Sequence, residues 1–338
     1  MNPFEKKYTD YSLIREMLET VEVIRNFDSE QTASVAGSIQ EKGRLFLTGE
    51  GSSRIFPAKN FIRKALISGL NICIGADGSR QASQYDLTDY AVFCASNSGR
   101  TREVLHLADK LVKEGGESCY ALSAKTGTPL EKICTETFVL NCGDEKAIAA
   151  TKSVIEQALF YESILNHLTG MNSNPDFPEL ADSIDKTLKM PIDPDIIKTA
   201  AEAGTIYFAG YNDGVAEELT LKTNEITRKK SDYLEGTYAV HGIEEVMEKD
   251  DIVFVVDPID EEIDKYRDVL VKGVGLKVVA IAERETPFTT IRIPDAGKLN
   301  PYVFLCAGWN LLVETGLMLG VNLDKPVRAR KIGNEFIG

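Results

Sequence analysis

The stretch DYAVFCASNSGRTREVLHLADKLVKEGG, residues 89–116, carries one complete unit of the fold. DYAVFCA is short, apolar and rich in strand formers, whereas TREVLHLADKLVKEGG places Val104, Leu105, Ala108 and Leu111 at helical spacing. Ser96, Asn97, Ser98, Gly99 and Thr101 therefore occupy a strand-to-helix turn. At such a turn, backbone N–H groups and the positive end of the helix dipole converge, which suits a phosphate. Ordinary N-capping by Ser and Thr is the alternative that the same residues allow. Gly99 is expected to let the backbone approach the anion closely.

The alternation continues on both sides. RLFLTG (44–49), NICIGA (71–76), SCYALS (118–123) and TFVLN (137–141) read as further strands, separated by helical patterns. The second half restarts with IYFAG (206–210), DIVFVVDP (251–258), KVVAIAE (277–283) and TIRIP (290–294). RLFLTGEGSSR (44–54) and IYFAGYNDGVA (206–216) are each a strand, a glycine, a polar turn and a helix start, and each half closes on a long apolar helix, from 151 and from 301. Repetition of both the type and the order of elements points to a duplicated α/β unit, each a parallel sheet with helices on both faces. The expected divisions are an N-terminal helical segment (1–30), a first domain (31–172), a Pro-rich connector with one short helix (173–195), a second domain (196–322) and a C-terminal tail (323–338).

Composition narrows the function classes. The chain has 338 residues, 43% of them hydrophobic, enough for two cores. No apolar run approaches the ~20 residues that span a bilayer, and the charged N-terminus lacks a signal-peptide pattern, so no membrane partner and a cytoplasmic location are expected. A net charge of −14 argues against a nucleic-acid partner, though not against one small phosphate. The six cysteines, at 73, 94, 119, 134, 142 and 306, show no paired ligand spacing; they read as buried reduced thiols, with no metal site and no cofactor expected.

GEGSSR, SNSGRT and EKAIAATK together resemble a sugar isomerase (SIS) domain. Downstream, LTLKTNEIT (219–227) resembles the Lys-x-x-Glu helix of the second SIS domain in the isomerase part of glutamine:fructose-6-phosphate aminotransferases, TYAVHG (237–242) its His-Gly turn, and DKPVRARKI (324–332) its C-terminal tail. The resemblance implies two flavodoxin-like α/β domains, at least a homodimer, and a phosphorylated hexose or amino-sugar substrate. It implies that Gly51, Ser52, Ser53, Ser96, Asn97, Ser98, Thr101, Ala150 and Thr151 hold phosphate and sugar hydroxyls. Asn97 and Arg100 stand where glutamine and glutamate are usual; Tyr238, Val240 and Ile243 also depart from the pattern around His241.

By the same resemblance, Glu225 would shuttle a proton between adjacent carbons of the open-chain sugar, His241 would open the ring, in its own or a neighbouring subunit, and Lys331 would contact the carbonyl. A carboxylate and an imidazole suit those tasks. A solvated helix carboxylate, a loop histidine and a tail lysine are what the residues alone would otherwise suggest. The expected activity is that of an aldose–ketose isomerase or deaminase on a hexose or hexosamine 6-phosphate. A fructosamine-6-phosphate deglycase is a third reaction through the same enediol-type chemistry, and a non-catalytic sugar-phosphate sensor the alternative of another class. The segment before the first strand is too short for the aminotransferase's glutaminase domain, so glutamine is not expected as nitrogen donor.

Overall fold

The computed structural model describes residues 1–171 and 176–328. They divide into two compact units: Glu22–Glu145 with Ala150–Phe177, and Met1–Val21 with Lys146–Ala149 and Pro178–Arg328. Lys331 lies outside the described residues.

The first unit holds β1 (Arg44–Gly49), β2 (Cys73–Asp77), β3 (Ala91–Ala95), β4 (Cys119–Ser123) and β5 (Glu136–Val139), all parallel and ordered β2-β1-β3-β4-β5. Helix α1 (Ser12–Arg25) precedes it, followed by α2 (Ala33–Lys42), α3 (Ile55–Ile67), α4 (Arg102–Lys113), α5 (Pro129–Ile133) and α6 (Lys152–Thr169). Side chains alternate along each strand, so each sheet face builds its own core. Leu45, Leu47 and Phe93 pack with Ile39 of α2, Phe61 of α3 and Phe160 and Ile164 of α6. Phe46, Val92, Cys94 and Ala121 face the other way, against Val104, Leu107, Ala108 and Leu111 of α4 and Leu130 of α5. With both faces covered, these strands read as continuous apolar runs, the pattern that made them legible.

The second unit repeats the plan. Beyond α7 (Phe177–Lys189) and α8 (Pro194–Glu202), its strands are β6 (Thr205–Gly210), β7 (Lys230–Glu235), β8 (Ile252–Val256), β9 (Lys277–Ala282) and β10 (Thr289–Arg292), parallel and ordered β7-β6-β8-β9-β10. Helix α9 (Val215–Ile226) packs on α10 (Asn300–Met318) so closely that a Cβ on Gly308 would meet Leu219 at 2.2 Å. Both sheets thus have the flavodoxin-like order 2-1-3-4-5 and helices on both faces, as expected. Strand β7 corrects the sequence reading, which assigned no strand to KSDYLE. It is an edge strand paired only to β6; of its residues only Leu234 is buried, so it lacks the apolar run of a central strand. Among the described residues, no helix is long and apolar enough to cross a membrane.

Candidate functional site

In a 2-1-3-4-5 sheet the connections from the first and third strands leave in opposite directions, and a crevice opens at their carboxyl ends. In the first unit these are the ends of β1 and β3. Gly49, the last residue of β1, is confined: a Cβ there would lie 2.9 Å from both the Ala95 and Ser53 carbonyl oxygens. Gly51, at φ +55°, opens a single 3₁₀ turn with Ser52 and Ser53. The Ser53 carbonyl accepts the side-chain amide of Gln157 on α6, which fixes this turn.

The end of β3 supplies the second lip. Ser96 is buried, and its hydroxyl lies 2.8 Å from the Thr101 hydroxyl. Thr101 is the N-cap residue of α4, yet its side chain does not cap the helix. The two hydroxyls therefore face each other at a helix start that the threonine leaves uncapped. Ser98 Oγ accepts the Arg100 N–H at 3.2 Å, and Arg100 itself is exposed. Gly99 has a packing requirement of its own: at φ +62°, a Cβ would come within 2.5 Å of Thr128, so the missing side chain makes room for the N-cap of α5.

Asn97 turns toward a third element. Its Nδ2 donates to Glu145 Oε2 at 2.9 Å and sits 3.3 Å from Ser153 Oγ. Glu145, buried, accepts the Thr151 N–H at 2.8 Å, the Ser153 N–H at 3.3 Å and the Ser153 hydroxyl at 2.6 Å. A carboxylate thus occupies the N-terminus of α6, where the dipole favours negative charge. The Thr151 amide, expected to hold substrate, is engaged by Glu145; Ala150 beside it is half-buried.

In the second unit, Glu225 lies in the last turn of α9 with its side chain 23% exposed. Its Oε2 accepts from Lys222 Nζ at 2.8 Å, and Lys222 also contacts Glu218 at 3.0 Å, with no exposed side-chain surface on either Lys222 or Glu218. Burial pulls the Lys222 pKa down, but the Glu218 and Glu225 carboxylates override it and hold the ammonium charged. His241 follows β7 in a 3₁₀ turn, exposed, with Lys265 Nζ 3.0 Å from its Nε2; an ammonium has only donors, so Nε2 is the acceptor. Glu225 and His241 are thus each bound to a lysine of their own. Val240, one of the departures near His241, is buried and Ile243 packs beside it in the core, whereas Tyr238 is half exposed.

Residues 38–167 match the SIS domain family. This part of the chain is a SIS domain. A curated relative, the isomerizing glutamine–fructose-6-phosphate aminotransferase of Corynebacterium glutamicum, is 25% identical over 268 residues, covering 70% of this chain and 42% of that protein. The chain therefore spans less than half the length of the relative it matches. Among solved structures, tagatose-6-phosphate ketose/aldose isomerase from Escherichia coli superposes with a TM-score of 0.77 at 17% identity, over 96% of this chain and 98% of that one. Glucosamine-6-phosphate deaminase from Thermotoga maritima gives 0.72 at 19% identity, over 96% and 99%. At these identities the superpositions establish a shared fold.

The turn after β3 is tied through Asn97 to Glu145, a residue inside the EKAIAATK motif to which the sequence assigns no role. Lys222 stands in the LTLKTNEIT motif without an assigned role. The signal for it was positional: in VAEELTLKTNEI the buried stripe runs Val215, Leu219, Lys222, Thr223 and Ile226, which puts a charge on an apolar face.

Proposed function

We propose that the chain is a phosphosugar isomerase or deaminase, cytoplasmic and homodimeric, acting on a hexose or hexosamine 6-phosphate. The observation that carries this reading is the Ser96–Thr101 hydroxyl pair, 2.8 Å apart, at the carboxyl end of β3 in the SIS domain. Two hydroxyls and the helix-start amides offer donors to a phosphate without needing a cation, in keeping with a chain of net charge −14. The relatives are named as a ketose/aldose isomerase, a deaminase and an isomerizing aminotransferase, each of a sugar 6-phosphate, which supports a substrate of that class.

In the proposed reaction His241 moves the proton between the anomeric hydroxyl and the ring oxygen, which opens the ring. Glu225 then takes the proton from C2 or C1 and returns it to the neighbouring carbon. The electron pair of the broken C–H bond forms the enediol or enolamine double bond, and reprotonation shifts the carbonyl; with an amine at C2, ammonia leaves on hydrolysis of the imine. Lys222, bonded to Glu225 Oε2, fixes the carboxylate's direction. Lys331 is assigned the carbonyl contact from sequence alone.

The test incubates the full chain in deuterated water with fructose, tagatose, glucosamine and fructosamine 6-phosphates, following solvent hydrogen at C1 or C2, carbonyl migration and amine release together. Exchange in the wild type that disappears in Glu225→Gln, with binding retained, is the expected result. Carbonyl migration identifies an isomerase, ammonia a deaminase, and release of a substituted amine a deglycase. Binding without exchange on every substrate would leave a sensor and remove the enzyme reading.

A further inference from the structure

Three thiols converge in the first unit, apart from the residues assigned to the sugar. Cys94 lies on β3, Cys119 opens β4, and Cys134 is the C-cap of α5. The Cys94 and Cys119 sulfurs are 4.0 Å apart and those of Cys119 and Cys134 3.6 Å, and all three lie within 4.8 Å of one another. All three are free thiols; Cys94 and Cys119 are buried and Cys134 is half-buried. Packing as small hydrophobes explains one close pair of cysteines. It does not call for three, from three elements, at mutual ligand distance.

Thiolates sharing one ion at about 2.3 Å stand ~4.0 Å apart in a trigonal plane and ~3.8 Å apart on a tetrahedral edge. Two of the three sulfur separations, 4.0 Å and 3.6 Å, are close to that length, and the third is within 4.8 Å. The donor set is all sulfur, which selects thiophilic ions over magnesium or calcium. The surroundings are apolar, with Val92, Ala121, Leu130 and Ile133 in the same cluster, so low net charge is favoured. Three thiolates on a divalent ion leave a charge of −1, on a monovalent ion −2.

We propose that Cys94, Cys119 and Cys134 form a three-thiolate site for a divalent d10 cation such as zinc, entered from the Cys134 side. Binding forms three sulfur–metal bonds and releases the thiol protons to solvent, with no electron transferred. The sequence hid the site because its ligands come from neighbouring strands and a helix end, 25 and 15 positions apart. The site also lies behind the cradle. Cys94 stands two residues before Ser96, and α5, which ends at Cys134, begins at Thr128, the residue packed on Gly99. The ion would therefore brace the two supports of the β3 turn.

The experiment uses the full reduced chain carrying Cys73→Ser, which removes the exposed thiol. Cadmium(II) is titrated in, and the ultraviolet thiolate-to-cadmium charge-transfer band is read beside equilibrium dialysis; zinc-loaded protein is examined by X-ray absorption. One ion per chain, three sulfur scatterers, and more than tenfold weaker binding in both Cys119→Ser and Cys134→Ala are expected, with Cys142→Ala unchanged. If Cys119→Ser does not fold, as judged by circular dichroism, the half-buried Cys134→Ala carries the comparison. Absence of the band, fewer than three sulfurs, or equal affinity in Cys134→Ala would overturn the proposal.

Discussion

Lys222 is a charged side chain with no exposed surface, held between a carboxylate one turn before it and another one turn after. Desolvating an ammonium costs several kcal/mol, repaid only while both carboxylates stay in place. Lys222→Met should destabilise the protein by about 3–5 kcal/mol, because it takes the ammonium away from the buried Glu218 carboxylate and from Glu225. Equilibrium urea unfolding checks this, and adding Glu218→Gln should recover part of the loss. The pH dependence has a definite sign. The folded pKa of Lys222 is raised above its ordinary 10.5, so its contribution is fully present below 10.5 and is lost as pH rises through the folded value. The stability difference between wild type and Lys222→Met should be flat at neutral pH and shrink in strong alkali. A second residue-scale case is Gly99, where left-handed backbone and the 2.5 Å approach to Thr128 act together. Gly99→Ala should cost about 2 kcal/mol or more, read as a fall in the unfolding midpoint.

Two helices in the SIS domain differ in how their N-termini are used. At α6, Glu145 supplies a carboxylate to the amides of Thr151 and Ser153, so that end is satisfied from within the chain. At α4, the Thr101 side chain makes no capping bond to the helix. Glu145→Ala should therefore destabilise the first unit by about 1.5–3 kcal/mol, the scale for hydrogen bonds to a charged group, whereas Thr101→Val should cost much less. Thermal unfolding of the two variants compares them directly; equal losses would mean that α4 depends on its threonine as an ordinary cap. This contrast also marks what the sequence made legible. The βα turn at 94–104 and the buried strands were readable because apolar periodicity is a local property. Strand β7 was not, because an edge strand needs only one partner and keeps polar residues. Nor was the engagement of Asn97 and Thr151 by Glu145, which depends on how the 141–151 loop folds back onto α6.

At the scale of the molecule, the two sheets share one strand order but carry opposite chemistry at the same topological position. The first ends β3 in Ser96 and the hydroxyl of Thr101. The second ends β8 in Asp257, held at φ +48° and paired to Arg284 at 3.0 Å; Arg284 also takes the Pro258 carbonyl and Asp260. The start of α9 likewise carries a buried carboxylate, Asp213, whose Oδ1 accepts the Val215 N–H at 3.0 Å. An anion at the second switch point would meet the Asp257 and Asp213 carboxylates, and the Arg284 guanidinium is already paired to Asp257, Asp260 and Glu283. On the proposed function, the second unit keeps the strand order of the first without its hydroxyl pair, and one phosphate site per chain is expected. Titration with inorganic phosphate, followed by phosphorus NMR, should show one site per chain. Ser96→Ala combined with Thr101→Val should abolish it, and Asp257→Ala should leave it intact. Two sites, or a site lost with Asp257 and retained without the hydroxyl pair, would place the anion in the second unit and return the β3 turn to the role of a plain helix start.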